Sequence, residues 1–389
     1  MRIIVCPHDM GMGGSQLNAL DLAAAVRDRG HHVMLYAAPG PLMDRAHVLG
    51  LDLTLSNTGL RLSTGWAAGL VRLARSWRAD VVHTYEWAPS IGASFGAHGL
   101  FGVPQVMTVL SMEVPRFLPR HLDLVVGTRQ LWSAADEHPH RHLMEPPIDT
   151  VANTPSDPWP ARQVFGISPE DLVISLVGRM TTDLDKSGGV IAAIAAVDRL
   201  AAREPAVLLV AGDGPELPRI RAVANQVNTR HGRRVVLTPG SLPDPTPAYA
   251  AADIVLGMGS SVLRGMAFAK PAIVLGADGY CEPVTAQTLG AFDWQGFYGI
   301  GDGGEYPLLA PLTELARDAA ERRRRGEWSR SVVDDHYSLR RSALLLDNIY
   351  GNARERRSGV AGRTASLARS AAGLGSFLAG RILDGSAAA

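Results

Sequence analysis

The sequence predicts an α/β protein made of two consecutive doubly wound domains, each around its own parallel sheet. Three observations predict it. Short apolar runs rich in Val, Leu and Thr alternate with helix-period segments, the pattern of βαβ units. A proline-rich stretch interrupts this alternation, which then restarts. The chain, at 389 residues, is also long for a single core.

In order, RIIVC (2–6) reads as the first strand, followed by a helix over about 15–29 with Leu17, Leu20, Leu22, Ala24 and Val26 mostly on one face. The runs HHVMLYA (31–37), LDLTLS (51–56), DVVHTY (80–85), QVMTVL (105–110) and LDLVVGT (122–128) read as further strands. Residues 139–160, with six prolines, read as a linker. Strands resume at DLVISLVG (171–178), AVLLVAG (206–212), RRVVLTPG (233–240), DIVLGM (253–258) and PAIVLG (271–276), with helices over 188–203 and 216–230. Helix periodicity returns at 311–325 and 339–356. The divisions are therefore 1–145, a linker at 146–160, 161–338, a helix at 339–356 and a flexible or weakly helical tail at 357–389. That tail reads as frayed or loosely docked, or as a weak amphipathic helix at a membrane surface.

Composition limits the function. Formal net charge is zero, which argues against a nucleic-acid partner. The two cysteines, Cys6 and Cys281, give neither metal-ligand spacing nor a disulfide framework and suit a reducing cytoplasm. MRIIVCP runs straight into a glycine loop and reads as a strand rather than a signal core. No stretch approaches the roughly 20 apolar residues of a membrane span.

Ligands of such sheets bind at the carboxyl ends of the strands, so the loops there hold the candidate residues. Two domains facing each other would place a cleft between them. In "HDMGMGGSQ", Gly13 and Gly14 let the backbone approach a phosphate and Ser15 can cap the next helix. Gln16 stands where a dinucleotide fingerprint needs glycine. "DVVHTYEW" puts His83 and Glu86 at a strand end, where His83 either contacts a ligand or is satisfied by backbone. Glu113 is the single acid in "VLSMEVPRFLP" and either binds an acceptor hydroxyl or is solvated. Arg179 and Lys186, beside Ser187-Gly188-Gly189, form a candidate diphosphate clamp. Gly212-Asp213-Gly214-Pro215-Glu216 makes a tight strand-to-helix turn. Gly259, Ser260, Ser261 and Val262 open a helix whose N–H groups suit an anion, with Arg264 following. "DLD" (183–185) has no further acids nearby, and no metal is assigned.

Together, "VGRM…DK", "VAGDGPE", "PGSLPD…AYAAADIVL" and "MAFAKPAIV" resemble the donor-binding domain of retaining GT-B glycosyltransferases of family 4. "MGGSQLNALDLAAAVRDRGHHV" resembles that family's N-terminal glycine loop, "ADVVHTY" its fourth-strand motif, and "HYSLRRSALLLDNIYGNA" the helix that crosses back to the first domain. The resemblance covers residues 1 to about 356. It implies a GT-B fold and transfer of a sugar from a nucleotide-sugar, UDP-sugar first, to a hydroxyl of a small-molecule or lipid-linked acceptor. Configuration would be retained, with no cofactor beyond the nucleotide-sugar substrate. Arg179 and Lys186 would bind the diphosphate, Gly13 and Gly14 the donor phosphate or acceptor, and Leu242, by its main chain, the base. The Asp213–Glu216 turn would shape that pocket. Ser15, His83, Glu86 and Glu113 would face the acceptor, and His83 and Glu113 would serve catalysis with the two cations.

Three positions depart from the family pattern. Leu110 replaces the fifth-strand histidine, while Leu256 and Arg264 stand where the family has paired glutamates. The arginine-to-lysine spacing is one residue longer than usual. Ala, Arg and Gly usage suggests a high-GC bacterium, where aminoglycoside-type antibiotics or envelope lipids are candidate acceptors. Two rival readings share this architecture, a non-hydrolysing nucleotide-sugar epimerase and an impaired relative acting as a partner subunit.

Overall fold

The structure, a computed structural model, describes residues 1–56, 63–356 and 360–383. It divides into two units, Met1–Pro147 with the described residues from Leu339 onward, and Ile148–Ser338.

The first unit holds seven strands: β1 (Arg2–Cys6), β2 (His32–Ala37), β3 (Asp52–Leu55), β4 (Val81–Tyr85), β5 (Gln105–Val109), β6 (Asp123–Val126) and β7 (Arg141–Leu143). Their order is β3-β2-β1-β4-β5-β6-β7, with every pairing parallel. The strand order reverses between β1 and β4, which opens the crevice that such sheets use for ligands. The second unit holds β8 (Leu172–Val177), β9 (Ala206–Ala211), β10 (Val236–Gly240), β11 (Ile254–Gly257), β12 (Ala272–Leu275) and β13 (Cys281–Pro283). Their order is β10-β9-β8-β11-β12-β13, and only β13 runs antiparallel.

Both sheets are buried on both faces, which is why their strands read as continuous apolar runs. In β8, Leu172, Ile174 and Leu176 join one core while Val173 and Val177 pack into the other. In β9, Ala206, Leu208 and Val210 split from Val207, Leu209 and Ala211 in the same way. In β1, Ile3 and Val5 face one core, Ile4 and Cys6 the opposite one.

Two short strands escaped the sequence reading. β7 lies within the stretch read as a linker, and β13 has three residues, both too short for periodicity to show. The helix expected over 311–325 is two helices, Leu309–Arg317 and Ala319–His336. Asp318 divides them: its extended backbone stops the first helix, and its carboxylate caps the second by accepting from Glu321 N at 2.8 Å. Helix Leu339–Glu355 belongs to the first unit, burying Ala343, Leu346, Ile349, Tyr350 and Ala353 in its core.

Of the tail, residues 357–359 and 384–389 lie outside the described residues. Between them runs a 24-residue helix, Val360–Leu383. It buries Ser366 and Ser370 and packs Leu374 and Phe377 against the first unit. Ser366 Oγ accepts from Arg120 N at 3.1 Å.

Arg330 fastens the start of the second unit. Its guanidinium donates to the carbonyls of Asn153 and Ala267, both at 2.7 Å, and of Thr150 at 2.9 Å, and it pairs with Asp334. Three carbonyls from two chain segments match the fixed fork of one guanidinium. Replacing it should lower stability by about 1.5–3 kcal/mol. In urea unfolding, Arg330→Lys should recover little of the loss of Arg330→Ala, because one ammonium cannot reproduce the fork.

Candidate active site

The carboxyl edge of each sheet carries a group of predicted residues. In the first unit, β1 leads into the loop 7–13. Asp9 Oδ1 organises it by accepting from Gly11 N at 2.7 Å and Gln16 Nε2 at 2.8 Å. A Cβ at Gly13 would sit 2.3 Å from Gln16 Oε1, whereas Gly14 faces open space. Gly14 thus leaves its backbone approachable at the start of helix Gly14–Asp28. Ser15 does not cap this helix. Its hydroxyl donates instead to Glu86 Oε1 at 2.9 Å.

Glu86 is the joint of this edge. It follows β4 with φ 63° and ψ 174°, a left-handed backbone for a residue with a side chain, and is 8% exposed. Such a conformation costs about 1–3 kcal/mol and persists where the surroundings enforce it, commonly at functional sites. The same Oε1 accepts from Leu110 N at 3.0 Å. One carboxylate therefore ties the glycine loop to the ends of β4 and β5.

His83 behaves differently from the expectation of a catalytic or acceptor-binding group. It is 1% exposed and both ring nitrogens are engaged, Nδ1 at 2.7 Å from the Tyr350 hydroxyl and Nε2 at 2.7 Å from Thr108 Oγ1. Burial pushes its pKa down to about 3, so it stays neutral. Tyr350 arrives from the helix Leu339–Glu355, so this histidine locks that helix to the sheet. Glu113 is an exposed loop residue, and the bond formed there uses its backbone carbonyl, accepting from Ser111 Oγ at 3.2 Å. Among the described contacts, none joins it to Ser15 or Glu86.

In the second unit, Arg179 and Lys186 line one small cleft, with Val177, Gly189, Gly257, Met258 and Leu275. Between them lies a short turn over Asp183–Asp185, with Leu184 (φ 53°) and Asp185 (φ 52°) both left-handed. Lys186, half-buried at the start of helix Lys186–Ala201, has its pKa lowered by burial and by Arg179, against the pull of Asp183. Asp185 lies against the first turn of that helix, where a Cβ at Gly188 would come 2.1 Å from its Oδ1. The Tyr306 hydroxyl holds it there, 2.8 Å from Oδ2 and 2.7 Å from the Gly276 carbonyl.

Gly212 and Gly214, read as donor contacts, serve packing. Cβ atoms there would stand 1.8 Å from the Gly178 carbonyl oxygen and 2.3 Å from that of Met180. Met180 N donates to the Asp213 carbonyl at 2.9 Å, and Glu216 N to that of Met180 at 3.0 Å. The Gly212–Glu216 turn thus braces the backbone carrying Arg179. Asp213 is exposed, and its carboxylate accepts from Gly214 N at 2.7 Å. Leu242 packs partly buried on the core containing Val177 and Tyr249.

Helix Ser260–Ala267 begins with mixed duties. Gly259 (φ 59°) donates its N–H to the Phe297 carbonyl at 2.8 Å, and Val262 N returns to Gly259 O at 3.1 Å with its side chain fully buried. Ser261 Oγ donates to the Val177 carbonyl at 2.7 Å. Among the described residues, the N–H groups of Ser260 and Ser261 are left open at the helix start. Tyr306, and Tyr298, whose hydroxyl a Cβ at Gly259 would meet at 2.8 Å, were missed by sequence reasoning, and Asp185 was weighed there only within the "DLD" pattern. Both tyrosines lie in "FYGIGDGGEY", a glycine-rich loop with no helix or strand period to position it.

The chain matches the family described as Glycosyltransferase Family 4 over residues 12–169 and that described as Glycosyl transferases group 1 over residues 171–292. It is 28% identical over 215 residues to a D-inositol 3-phosphate glycosyltransferase of Mycobacterium sp. (strain JLS). That alignment spans 52% of this chain and 45% of the relative, so the chain matches less than half the length of this curated relative. A glycosyltransferase of Rickettsia africae ESF-5 superposes with TM-score 0.71 at 15% identity, covering 92% of this chain and 99% of that one. Anabaena Alr3699/HepE, in complex with UDP and glucose, superposes with TM-score 0.69 at 15% identity, covering 90% and 99%.

A histidine whose pKa is depressed in the folded state costs stability as pH falls, because only the unfolded chain takes up its proton. The His83 contribution should be complete above pH 6.5 and shrink steadily from there towards pH 3. Urea unfolding across this range should show a shallower acid loss for His83→Gln than for the wild type, at the cost of lower stability near pH 7.

Proposed function

Given that this chain joins a Glycosyltransferase Family 4 domain to a Glycosyl transferases group 1 domain on a GT-B fold, we propose that it transfers a sugar from UDP-sugar to an acceptor hydroxyl. The observation that carries this reading is the cleft shared by Arg179, Lys186 and the Gly257–Met258 turn at the second unit's carboxyl edge. Two cations and the open N–H groups of Ser260 and Ser261 suit the four-oxygen-rich charge of a diphosphate. The neighbour crystallised with UDP and glucose supports uracil as the base.

In the reaction we propose, the acceptor oxygen attacks the anomeric carbon as the bond from that carbon to the diphosphate breaks. The acceptor proton passes to the departing phosphate oxygen on the same face, so configuration is retained and no protein nucleophile is required. Arg179, Lys186 and the helix start stabilise the developing charge, each contact being worth about 2.7–4 kcal/mol. Lys186 is held close to this charge by the left-handed turn before it. The scheme uses no metal.

On the acceptor side we assign Gly14, Ser15 and Glu86. Ser15 retains lone pairs for an acceptor hydroxyl, and Glu86 holds it in place. A small polyhydroxylated acceptor fits such a short, polar set of groups. The relative named for D-inositol 3-phosphate supports that class. His83 takes no part, and the neutral core role described above replaces it.

Calorimetric titration with UDP tests the donor assignment directly. The wild type should bind UDP, and Arg179→Ala should weaken binding by about 100-fold with the melting temperature unchanged. Failure of the wild type to bind any uridine nucleotide would remove the transferase reading. Conversion of a UDP-sugar at C2 would turn it towards an epimerase.

A further inference from the structure

One face of the first unit has a feature that the proposed sugar transfer does not use. An apolar groove of about 680 Å³ runs between helix Thr64–Ser76, the helical stretch 87–101 and helix Val360–Leu383. Ala67, Val71, Phe95, Leu100, Phe101 and Leu374 line it. Leu100 and Phe101 form a projecting tip between Gly99 and Gly102, 72% and 45% exposed, and Phe95 beside them is 37% exposed. The tip is built rather than frayed. A Cβ at Gly99 would meet the Ser94 carbonyl oxygen at 2.6 Å, and Gly102 turns the chain with φ 69°. Two large apolar side chains are therefore held out in solvent by a defined backbone, at a cost their surface does not recover in water.

The charged side chains of the three segments that form this groove are of one sign. The chain as a whole balances 38 basic against 38 acidic residues. Yet residues 63–78, 87–104 and 360–380, which make the groove and its rim, contain no Asp or Glu. They do contain Arg72, which lines the groove, and Arg75, whose guanidinium lies 4.7 Å from the Phe101 ring centroid. Arg363 approaches Gly102 from the last helix, and Arg369 is exposed on it. Diffuse positive charge around inserted apolar side chains suits a surface of anionic headgroups over hydrocarbon. No helix among the described residues is long and apolar enough to cross a membrane, so contact would be made at the surface.

We propose that this face docks the protein on the surface of an anionic bilayer, with Leu100 and Phe101 inserted below the headgroups and Arg72, Arg75 and Arg363 among the phosphates. The docking stands independently of the sugar-transfer reading, because neither the groove nor the tip shares a residue with Gly14, Ser15, Glu86, Arg179 or Lys186.

Flotation of the full chain with vesicles tests it. The protein should float with phosphatidylcholine vesicles containing phosphatidylglycerol, and binding to phosphatidylcholine alone should be at least about tenfold weaker. Added salt should weaken the first binding and leave the second unchanged. Leu100→Ser with Phe101→Ser should reduce binding to the anionic vesicles by more than about tenfold. Arg72→Ala and Arg363→Ala should each reduce it by roughly fivefold. All these side chains are at the surface, and unchanged circular-dichroism melting curves will confirm that each variant folds. Absence of flotation, or equal binding to both vesicle types, overturns the proposal. So does a concentration-dependent dimer of the wild type that Leu100→Glu abolishes, which would give the face to a second copy of the chain.

Discussion

Burial of both faces of two parallel sheets is the constraint from which the remaining structure follows. Strands such as β8 and β9 send alternate side chains into opposite cores, so neither face is free to bind anything. Connections between parallel strands must cross over the sheet, most of them here as helices, and these close both faces. What remains for chemistry is the rim. At the carboxyl rim, most loops leave a strand and start a helix, so backbone N–H groups with no partner of their own collect there. Gly14 in the first unit and Ser260–Ser261 in the second are the places where such groups face open space.

The rim is held by a few polar joints, each spanning segments far apart in sequence. Glu86 accepts from Ser15, 71 residues before it, and from the backbone of Leu110. A left-handed backbone is tolerated there because its carboxylate satisfies two groups that would otherwise lack a partner at the sheet edge. Tyr306 does the corresponding work in the second unit, 121 residues from the Asp185 it holds. The Gly212–Glu216 turn supports Arg179 from below, and its two glycines exist because carbonyls press on them. Residues that touch no ligand thus set where the candidate ligand-binding groups stand. In the second unit, backbone donors and the cations Arg179 and Lys186 make up the candidate site.

Much of this was legible beforehand. Strand positions in both sheets followed from apolar runs, and the restart after the prolines located the second unit. Arg179 and Lys186 were recognisable because cations beside glycines at a strand end form a local pattern, and the structure lines one cleft with both. Other assignments failed for a physical reason. His83 sits at the right end of β4, but its fate depends on Thr108 and Tyr350, the second 267 residues away. A sequence shows that a histidine is at a strand end, not whether both nitrogens are already satisfied. Ser15 looked like a cap because its position suited one, and only the approach of Glu86 turned its hydroxyl elsewhere.

By itself, then, the sequence determined the class of fold, the number of sheets, the place along the chain of all but the two shortest strands, and the loops that hold the candidate residues. Apolar periodicity and glycine placement are local properties, and a chain cannot conceal them. Tertiary structure alone decided which polar groups are consumed by packing and which stay available. It tied Glu86 to Ser15 and Leu110 at the carboxyl edge of the first unit and enclosed His83 between Thr108 and Tyr350. It also set an apolar groove on the first unit from three acid-free segments that carry no shared motif. Those outcomes rest on contacts between residues tens to hundreds of positions apart, where hydrogen-bond partners are chosen by the folded backbone and not by spacing along the chain.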